Sequence, residues 1–265
     1  MRMALFSSVG EITFNQANVE IKAGVGGQES MLFVNTLIDI YCNLANKHKW
    51  TINVIDEDRT DLGGCRHSCL RIRGDECLTW MYLESGVHRV QRVPSTEKSG
   101  RMHTSTVAVA VLPVDQHSNI EVTENDIKVW TFSSRGPGGQ HANKTQSGVR
   151  IQHIPSGITI TRSGSRLQSA NKEEAIRALQ ISLADIQSNA RQSIRRQSIK
   201  NQFGHFDRNE KIRTYNFPQD RVTDHRVPAN VFNLENYFNA DSSYHTLAEL
   251  TANKKIDEWL LSLKK

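Results

Sequence analysis

Apolar and polar positions along the chain alternate in two different periods. Short apolar or alternating runs at 18–23, 51–55, 69–72, 78–83 and 106–112 predict strands. The last of these alternates Val107, Val109 and Val111 with Ala108 and Ala110, which suits a sheet face packed on a helix. Between the first two runs, after Gly24, Gly26 and Gly27, Phe33, Leu37, Tyr41 and Leu44 recur at three- and four-residue spacing. That spacing predicts a helix over 28–46. The chain turns polar at 122–126, where a second unit begins. It has a strand over 127–132, a small-residue loop over 133–140, and strands over 149–154 and 158–162 joined by Pro155-Ser156-Gly157. A long helix over 171–200 carries Ile176, Leu179, Leu183, Ile186, Ala190 and Ile194 on one stripe, with Arg, Gln and Ser on its other faces. The pattern breaks again from 213 to 226, and 231–238 and 254–263 look helical. The fold class this predicts is α+β.

The chain has 265 residues, enough for one large domain or two of ordinary size. No apolar run approaches the roughly 18 residues of a membrane helix, so no membrane role is expected. Four cysteines (Cys42, Cys65, Cys69, Cys77) in this length do not make a secreted disulfide scaffold. An intracellular protein is expected. The first residues carry Arg2, Ser7 and Ser8 with no acid before Glu11, an arrangement similar to an organelle-import leader.

Lys and Arg number 33 against 28 Asp and Glu, a net +5 with histidine neutral. Placement says more than the total. From Ser133 to Arg213 fourteen Lys and Arg, Arg213 among them, face five acids, a net +9 that leaves −4 for the remainder. Such concentration calls for an anionic partner, most often a phosphate backbone, or else marks a solvated helix face. Within this stretch the loop from Ser133 to Lys144 has three glycines in four positions, which permit positive φ and close approach of bare backbone to another molecule. Pro137 stiffens the loop, and Arg135 and Lys144 flank it with charge. It could be a surface turn, or a rigid backbone probe aimed at RNA. A phosphate-cradling P-loop is excluded by the missing Gly-Lys-Ser/Thr ending.

Gly138-Gly139-Gln140 in this setting resembles the catalytic tip of class I peptide chain release factors of the bacterial and organellar type. The triplet alone is uninformative, since Gly26-Gly27-Gln28 repeats it. The flanks carry the resemblance. Residues 145–154 continue as that family does, and Arg213-Thr214-Tyr215-Asn216-Phe217-Pro218-Gln219-Asp220-Arg221-Val222-Thr223-Asp224-His225-Arg226 is similar to its C-terminal signature. Gly86-Val87-His88-Arg89-Val90-Gln91-Arg92-Val93-Pro94-Ser95-Thr96 is similar to its codon-reading region. The resemblance implies a two-domain architecture: a codon-recognition α/β domain over 1–122 and 213–265, interrupted over 123–212 by a peptidyl-tRNA hydrolysis domain of small sheet and long helix.

It also implies a mechanism and partners. The tip enters the peptidyl-transferase centre of the ribosome and promotes attack of water on the ester linking peptide to tRNA. The loop holds no evident nucleophile–base pair, so positioning and electrostatics must do the work. In the family the backbone N–H matching Gln140 stabilises the developing charge, while Gly138 and Gly139 aim it. The same glutamine amide is methylated there, which implies a glutamine methyltransferase as partner. Arg135 and Lys144 are candidate rRNA or tRNA contacts. For codon reading, single-stranded RNA is recognised through exposed base edges and stacking. Pro94-Ser95-Thr96 is similar to the Pro-x-Thr tripeptide of the subtype that reads UAA and UAG. By that resemblance Thr96 meets the first two bases, His103 stacks near the second, Gln91 with Thr104 reads the third, and Gly26 and Glu29 contact the first. No cofactor or metal is expected, and a monomer is.

Other assignments compete at several points. Cys65, Cys69, Cys77 and His67 invite zinc, but their spacing matches no common finger and packing is favoured. The glycines at 24, 26 and 27 lack a dinucleotide fingerprint, and Tyr215 and Phe217 are expected in the core or at a domain junction. The family carries an N-terminal helical domain before the strand matched by 18–23, and about seventeen residues precede that strand here, as expected of a short isoform, an incomplete gene model or a naturally shortened factor. Arg135-Gly136-Pro137 with Asn143-Lys144 looks closer to the loop of codon-independent ribosome-rescue hydrolases, the alternative function; a non-catalytic RNA-binding paralogue is a third. The decoding segment favours termination. Mitochondrial location is expected from the leader-like start and the family's distribution, with the bacterial cytoplasm as alternative.

Overall fold

The computed structural model of the chain describes residues 15–94, 97, 99–114, 123–133, 145–203 and 210–262. They gather into two units, one within Met1–Asp115 and Arg195–Lys265, the other within Gln116–Ile194. In chain order the elements are β1 (Gln16–Ala23), α1 (Gln28–His48), β2 (Thr51–Arg59), β3 (Cys65–Arg73), α2 (Cys77–Tyr82), β4 (Gly86–Arg92) and β5 (His103–Pro113). Next come β6 (Ile127–Phe132), β7 (Gly148–His153), β8 (Thr159–Arg162) and α3 (Gln168–Phe203). The chain ends with β9 (Lys211–Asn216), β10 (Arg221–Asp224), β11 (Ala229–Phe232), α4 (Leu234–Phe238) and α5 (Ser242–Ser262).

The larger unit is one eight-stranded sheet in the order β11-β10-β9-β4-β5-β1-β3-β2. All neighbours are antiparallel except β4 and β9, which run parallel with Val90 level with Tyr215 and Gln91 with Asn216. A parallel pair needs a long connection, and here it runs through β5, the whole second unit and the end of α3. Eight consecutive residues of β5, Ser105 to Leu112, are buried because both faces of that strand are covered. Val107, Val109 and Val111 face the core with Phe33, Leu37, Tyr41 and Leu44 of α1. Ala108 and Ala110 face the other way and pack with Ile199 and Phe203 at the end of α3, where only small side chains leave room. The alternation of valine and alanine is thus one strand serving two helices. α1 ends at Lys49, whose left-handed backbone (φ 57) lets its N–H reach the carbonyls of Ala45 and Asn46.

The smaller unit is a three-stranded antiparallel sheet, β6-β7-β8, with α3 across it. Val149 and Ile151 of β7 pack on Ala175, Leu179 and Leu183. The expected stripe does not continue: Ile186 and Ile194 are 54% and 68% exposed. Length explains it. A 36-residue helix runs about 54 Å at 1.5 Å per residue, whereas strands of four to six residues cover only about 20 Å.

Three further expectations are corrected. Residues 78–83 are not a strand; Cys77–Tyr82 is α2, entered through left-handed Glu76 (φ 56), with Cys77, Leu78 and Met81 buried on one face. So short an apolar run has no period of its own. Residues 231–238 are not one helix: Ala229–Phe232 pairs with β10, and the Asn233 side chain accepts from the Asn236 N–H to start α4. The last helix begins at Ser242 rather than 254, on a buried stripe of Tyr244, Leu247, Ala248, Thr251 and Ala252 too rich in alanine and threonine to stand out. The unpatterned stretch 213–226 holds strands β9 and β10, whose interior is partly ionic.

That interior includes His88, wholly buried on β4. Its Nε2 lies 2.8 Å from the Glu84 carbonyl oxygen, which can only accept, so Nε2 carries the proton. Nδ1 then accepts from the Tyr215 hydroxyl at 3.1 Å. Burial, chiefly, lowers the imidazole pKa to about 4. An unfolded histidine protonates near 6.5, so between those values the unfolded chain holds a proton the folded one refuses, and stability falls with falling pH. The expected loss from pH 7 to pH 5 is about 2 kcal/mol. It is measured as a drop in the urea midpoint that is smaller in His88→Gln.

Candidate functional site

The residues expected to touch a codon come from three separate stretches, and the larger sheet gathers those it describes at one end. β4 and β5 pair antiparallel with Gln91 opposite Thr104 and Arg92 opposite His103. The head of α1 comes to the same place. Gly26 (φ 135) lies so close to β5 that a Cβ there would fall 2.2 Å from Ser105 Oγ and 2.9 Å from Ser105 Cα. Only glycine allows that approach, so Gly26 sits tight beside the residue following Thr104. Main-chain bonds fasten the junction: Gly24 N–H donates to the Thr106 carbonyl at 2.9 Å, and Thr106 N–H to that of Val25 at 2.8 Å.

Glu29, in the first turn of α1, is buried, where a carboxylate is favoured by the helix N-terminus. Arg92 Nε donates to its Oε1 at 2.5 Å. Among the described residues its Oε2 is buried without a hydrogen-bond partner. The Arg92 guanidinium is itself held 5.1 Å from the Phe217 ring and 5.9 Å from the Phe33 ring. Arg92 therefore ties β4, α1 and the turn after β9 together. The sequence marked it only as one residue of a motif, because its partners lie 63 and 125 positions away.

Pro94 is buried and accepts from the Glu97 N–H at 3.1 Å, closing a turn. His103 Nε2 lies 2.8 Å from Glu97 Oε2, which orients the ring. Hydrogen bonds, first from Ser99 and then from His103, hold the Glu97 carboxyl down at about 2. Ser95 and Thr96 lie outside the described residues, as do Arg135, Gly138, Gly139, Gln140 and Lys144.

Two inferences from composition change. Arg213, counted in the basic excess, is wholly buried and meets Glu84 at 2.6 Å and Asp224 at 3.1 Å, so it serves no external anion. Arg195 pairs with Glu20 at 2.6 Å. The cysteines have packing roles: the Cys65 thiol donates to the His67 carbonyl at 3.0 Å, and burial pushes the Cys77 thiol up to about 11. Among the described residues, no cluster of His, Cys, Asp and Glu could hold a metal, and no helix is long and apolar enough to cross a membrane. Tyr215 is core, and Phe217 packs at its edge under Arg92.

A family model described as the PCRF domain matches residues 3–109, and one described as the RF-1 domain matches 115–226. Peptide chain release factor 1 of Carboxydothermus hydrogenoformans is 44% identical over 223 residues, 84% of this chain and 62% of that protein. The protein of the same name from Thermotoga maritima is 44% identical over 227 residues, 86% of this chain and 66% of its own length. The chain thus spans a little under two thirds of the length of these relatives. Among solved structures, RF2 of Thermus thermophilus is similar with a TM-score of 0.54 at 27% identity, covering 94% of this chain and 69% of that one.

Proposed function

The chain belongs to the class I peptide chain release factors, of the release factor 1 type, and from that premise we propose that it reads UAA and UAG in the ribosomal A site and promotes hydrolysis of the peptidyl-tRNA ester. The observation that carries the decoding half is the meeting of Gly26 and Glu29 with Gln91, His103 and Thr104 at one end of the sheet, from sequence positions 78 residues apart at the extremes. Gln91, His103 and Thr104 are partly exposed there and present amide, imidazole and hydroxyl groups. Such chemistry suits the edges of unpaired bases. In this role Thr96 takes the first two bases, with Gly26 and Glu29 beside the first. His103 stacks near the second, Gln91 and Thr104 take the third, and Pro94 and Ser95 hold the tripeptide in place.

Hydrolysis is assigned to Gly138, Gly139 and Gln140. Water attacks the ester carbonyl carbon, the carbonyl oxygen gathers negative charge, and the Gln140 backbone N–H donates to it; the bond from that carbon to the tRNA ribose oxygen then breaks, that oxygen takes up the proton water gives up, and the peptide leaves as its acid. The side-chain amide of Gln140 shapes a space that admits water and excludes larger nucleophiles, and is the methylation site for a glutamine methyltransferase. Arg135 and Lys144 contact rRNA or tRNA. The factor acts as a monomer without cofactor. Its bacterial relatives support a bacterial-type ribosome as substrate, in a bacterial cytoplasm or, as the leader-like start suggests, a mitochondrion. Codon-independent rescue is disfavoured because the PCRF match covers the decoding segment.

The deciding experiment measures peptide release on ribosomes programmed with UAA, UAG, UGA, a sense codon or an empty A site. Release is expected at UAA and UAG alone. Equal release on an empty A site would instead establish rescue.

A further inference from the structure

Asn216 ends β9 beside Gln91, and its side-chain orientation is set by a group with no alternative role. The backbone N–H of Gln219 donates to Asn216 Oδ1 at 3.1 Å. A backbone amide can only donate, so the atom facing it is the oxygen and the other is the NH2. That NH2 donates to Gln219 Oε1 at 3.1 Å and to Gln91 Oε1 at 3.3 Å. Since an NH2 also only donates, the Gln91 atom facing it is in turn the oxygen. The main chain holds the pair in register: Phe217 N–H donates to the Gln91 carbonyl at 3.0 Å, and Asn216 stands level with Gln91 in the parallel ladder. Polarity therefore passes from an obligatory backbone donor through one amide to the next, and Gln91 keeps its own NH2 for a ligand.

We propose that Asn216 is a positioning residue that sets the polarity of the Gln91 amide, so that Gln91 offers hydrogen-bond donors to the third base of the codon. The inference rests on the proposed role of Gln91 at that base. On its Hoogsteen edge guanine presents two acceptors, N7 and O6, whereas adenine presents the N7 acceptor and the N6 amino donor. A donating amide matches guanine O6 and opposes the adenine amino group. Thr104, opposite Gln91 on β5, has a hydroxyl that both donates and accepts and so serves either purine. Asn216 thereby supports UAG beside UAA.

The test is Asn216→Asp. Its Oδ1 still accepts from Gln219 N–H, but its second oxygen can only accept, so Gln91 turns its NH2 inward and presents its carbonyl outward. Release kcat/KM at UAG is expected to fall about tenfold or more relative to UAA. Asn216→Ala, which frees the amide without reversing it, is expected to lower the same ratio by less. Retained release at UAA shows that the variant is folded; a merely structural role for Asn216 would lower both codons together. An unchanged UAG-to-UAA ratio in either variant, with wild type still rejecting UGA and sense codons, overturns the inference and leaves the proposed function standing. A wild type without codon preference overturns both.

Discussion

Arg213→Met is expected to cost the larger unit about 3–5 kcal/mol of folding free energy, the price of leaving buried carboxylates unpaired. Arg213 lies on β9 with its side chain 1% exposed and is shared between two acids. Its Nη1 donates to Glu84 Oε1 and Oε2 at 2.8 and 2.6 Å, and its Nε and Nη2 to Asp224 Oδ2 at 3.2 and 3.1 Å. The remaining lone pairs are taken by Tyr244, which donates to Glu84, and by Arg226, which donates to both Asp224 oxygens. Burial by itself raises the Asp224 pKa. The Arg226 hydrogen bonds and the charges of Arg213 and Arg226 outweigh it and hold this carboxyl well below the usual range. Glu84 is likewise lowered, with Arg213 the chief charge opposing its burial. The network's contribution is therefore present above about pH 4 and lost as pH falls through the depressed folded values.

Against a typical total of 5–15 kcal/mol, losing 3–5 is severe. It is read from urea unfolding at neutral pH. A loss under about 1 kcal/mol would show that water or rearrangement compensates the acids. Arg226→Met should cost less, since that side chain is partly exposed and Asp224 would keep Arg213. Replacing Arg213, Glu84 and Asp224 together by apolar residues is expected to be milder than Arg213→Met alone, because the penalty lies in the orphaned charges. Glu84 precedes β4, Asp224 ends β10 and Tyr244 belongs to α5, so the network joins segments from before and after the inserted unit. The sheet that carries Gln91 and Thr104 is assembled around it.

Gly139→Ala is expected to lower the rate of peptide release about 10²- to 10³-fold while ribosome binding at a stop codon persists. The argument is electrostatic. The loop's sequence offers no evident nucleophile–base pair, so the proposed catalytic contribution is one backbone N–H aimed at the oxygen that becomes negative, and a donor so placed is worth about 2.7–4 kcal/mol of barrier. A glycine backbone is free to take conformations a Cβ forbids, so a methyl group at Gly139 is expected to displace the proposed donor. The two measurements are single-turnover hydrolysis of peptidyl-tRNA on UAA-programmed ribosomes and competition for the A site. Normal hydrolysis by the variant would remove the tip from the mechanism, and lost binding would move its role from chemistry to docking.

Much of this protein is determined by sequence alone. The period of Phe33, Leu37, Tyr41 and Leu44 is that of a helix with one buried face, and the valine–alanine alternation of β5 is that of a strand, because both signals are local and repeat. The motifs at 86–96, 138–140 and 213–226, on which the family resemblance rests, are likewise contiguous strings, legible without the fold. Only the tertiary structure decided what long-range pairing controls. Residues 78–83 became a helix because the left-handed backbone at Glu76 and the apolar face beyond it outweigh strand-like composition. Arg213 passed from surface cation to core because Glu84 and Asp224 converge on it from 129 and 11 residues away. Arg92 gained its place through Glu29 and Phe217, and the Gln91 amide its polarity through Asn216. A charge or an amide has no meaning in one dimension. Its partner across the fold decides whether it faces water, a buried counter-charge or a base.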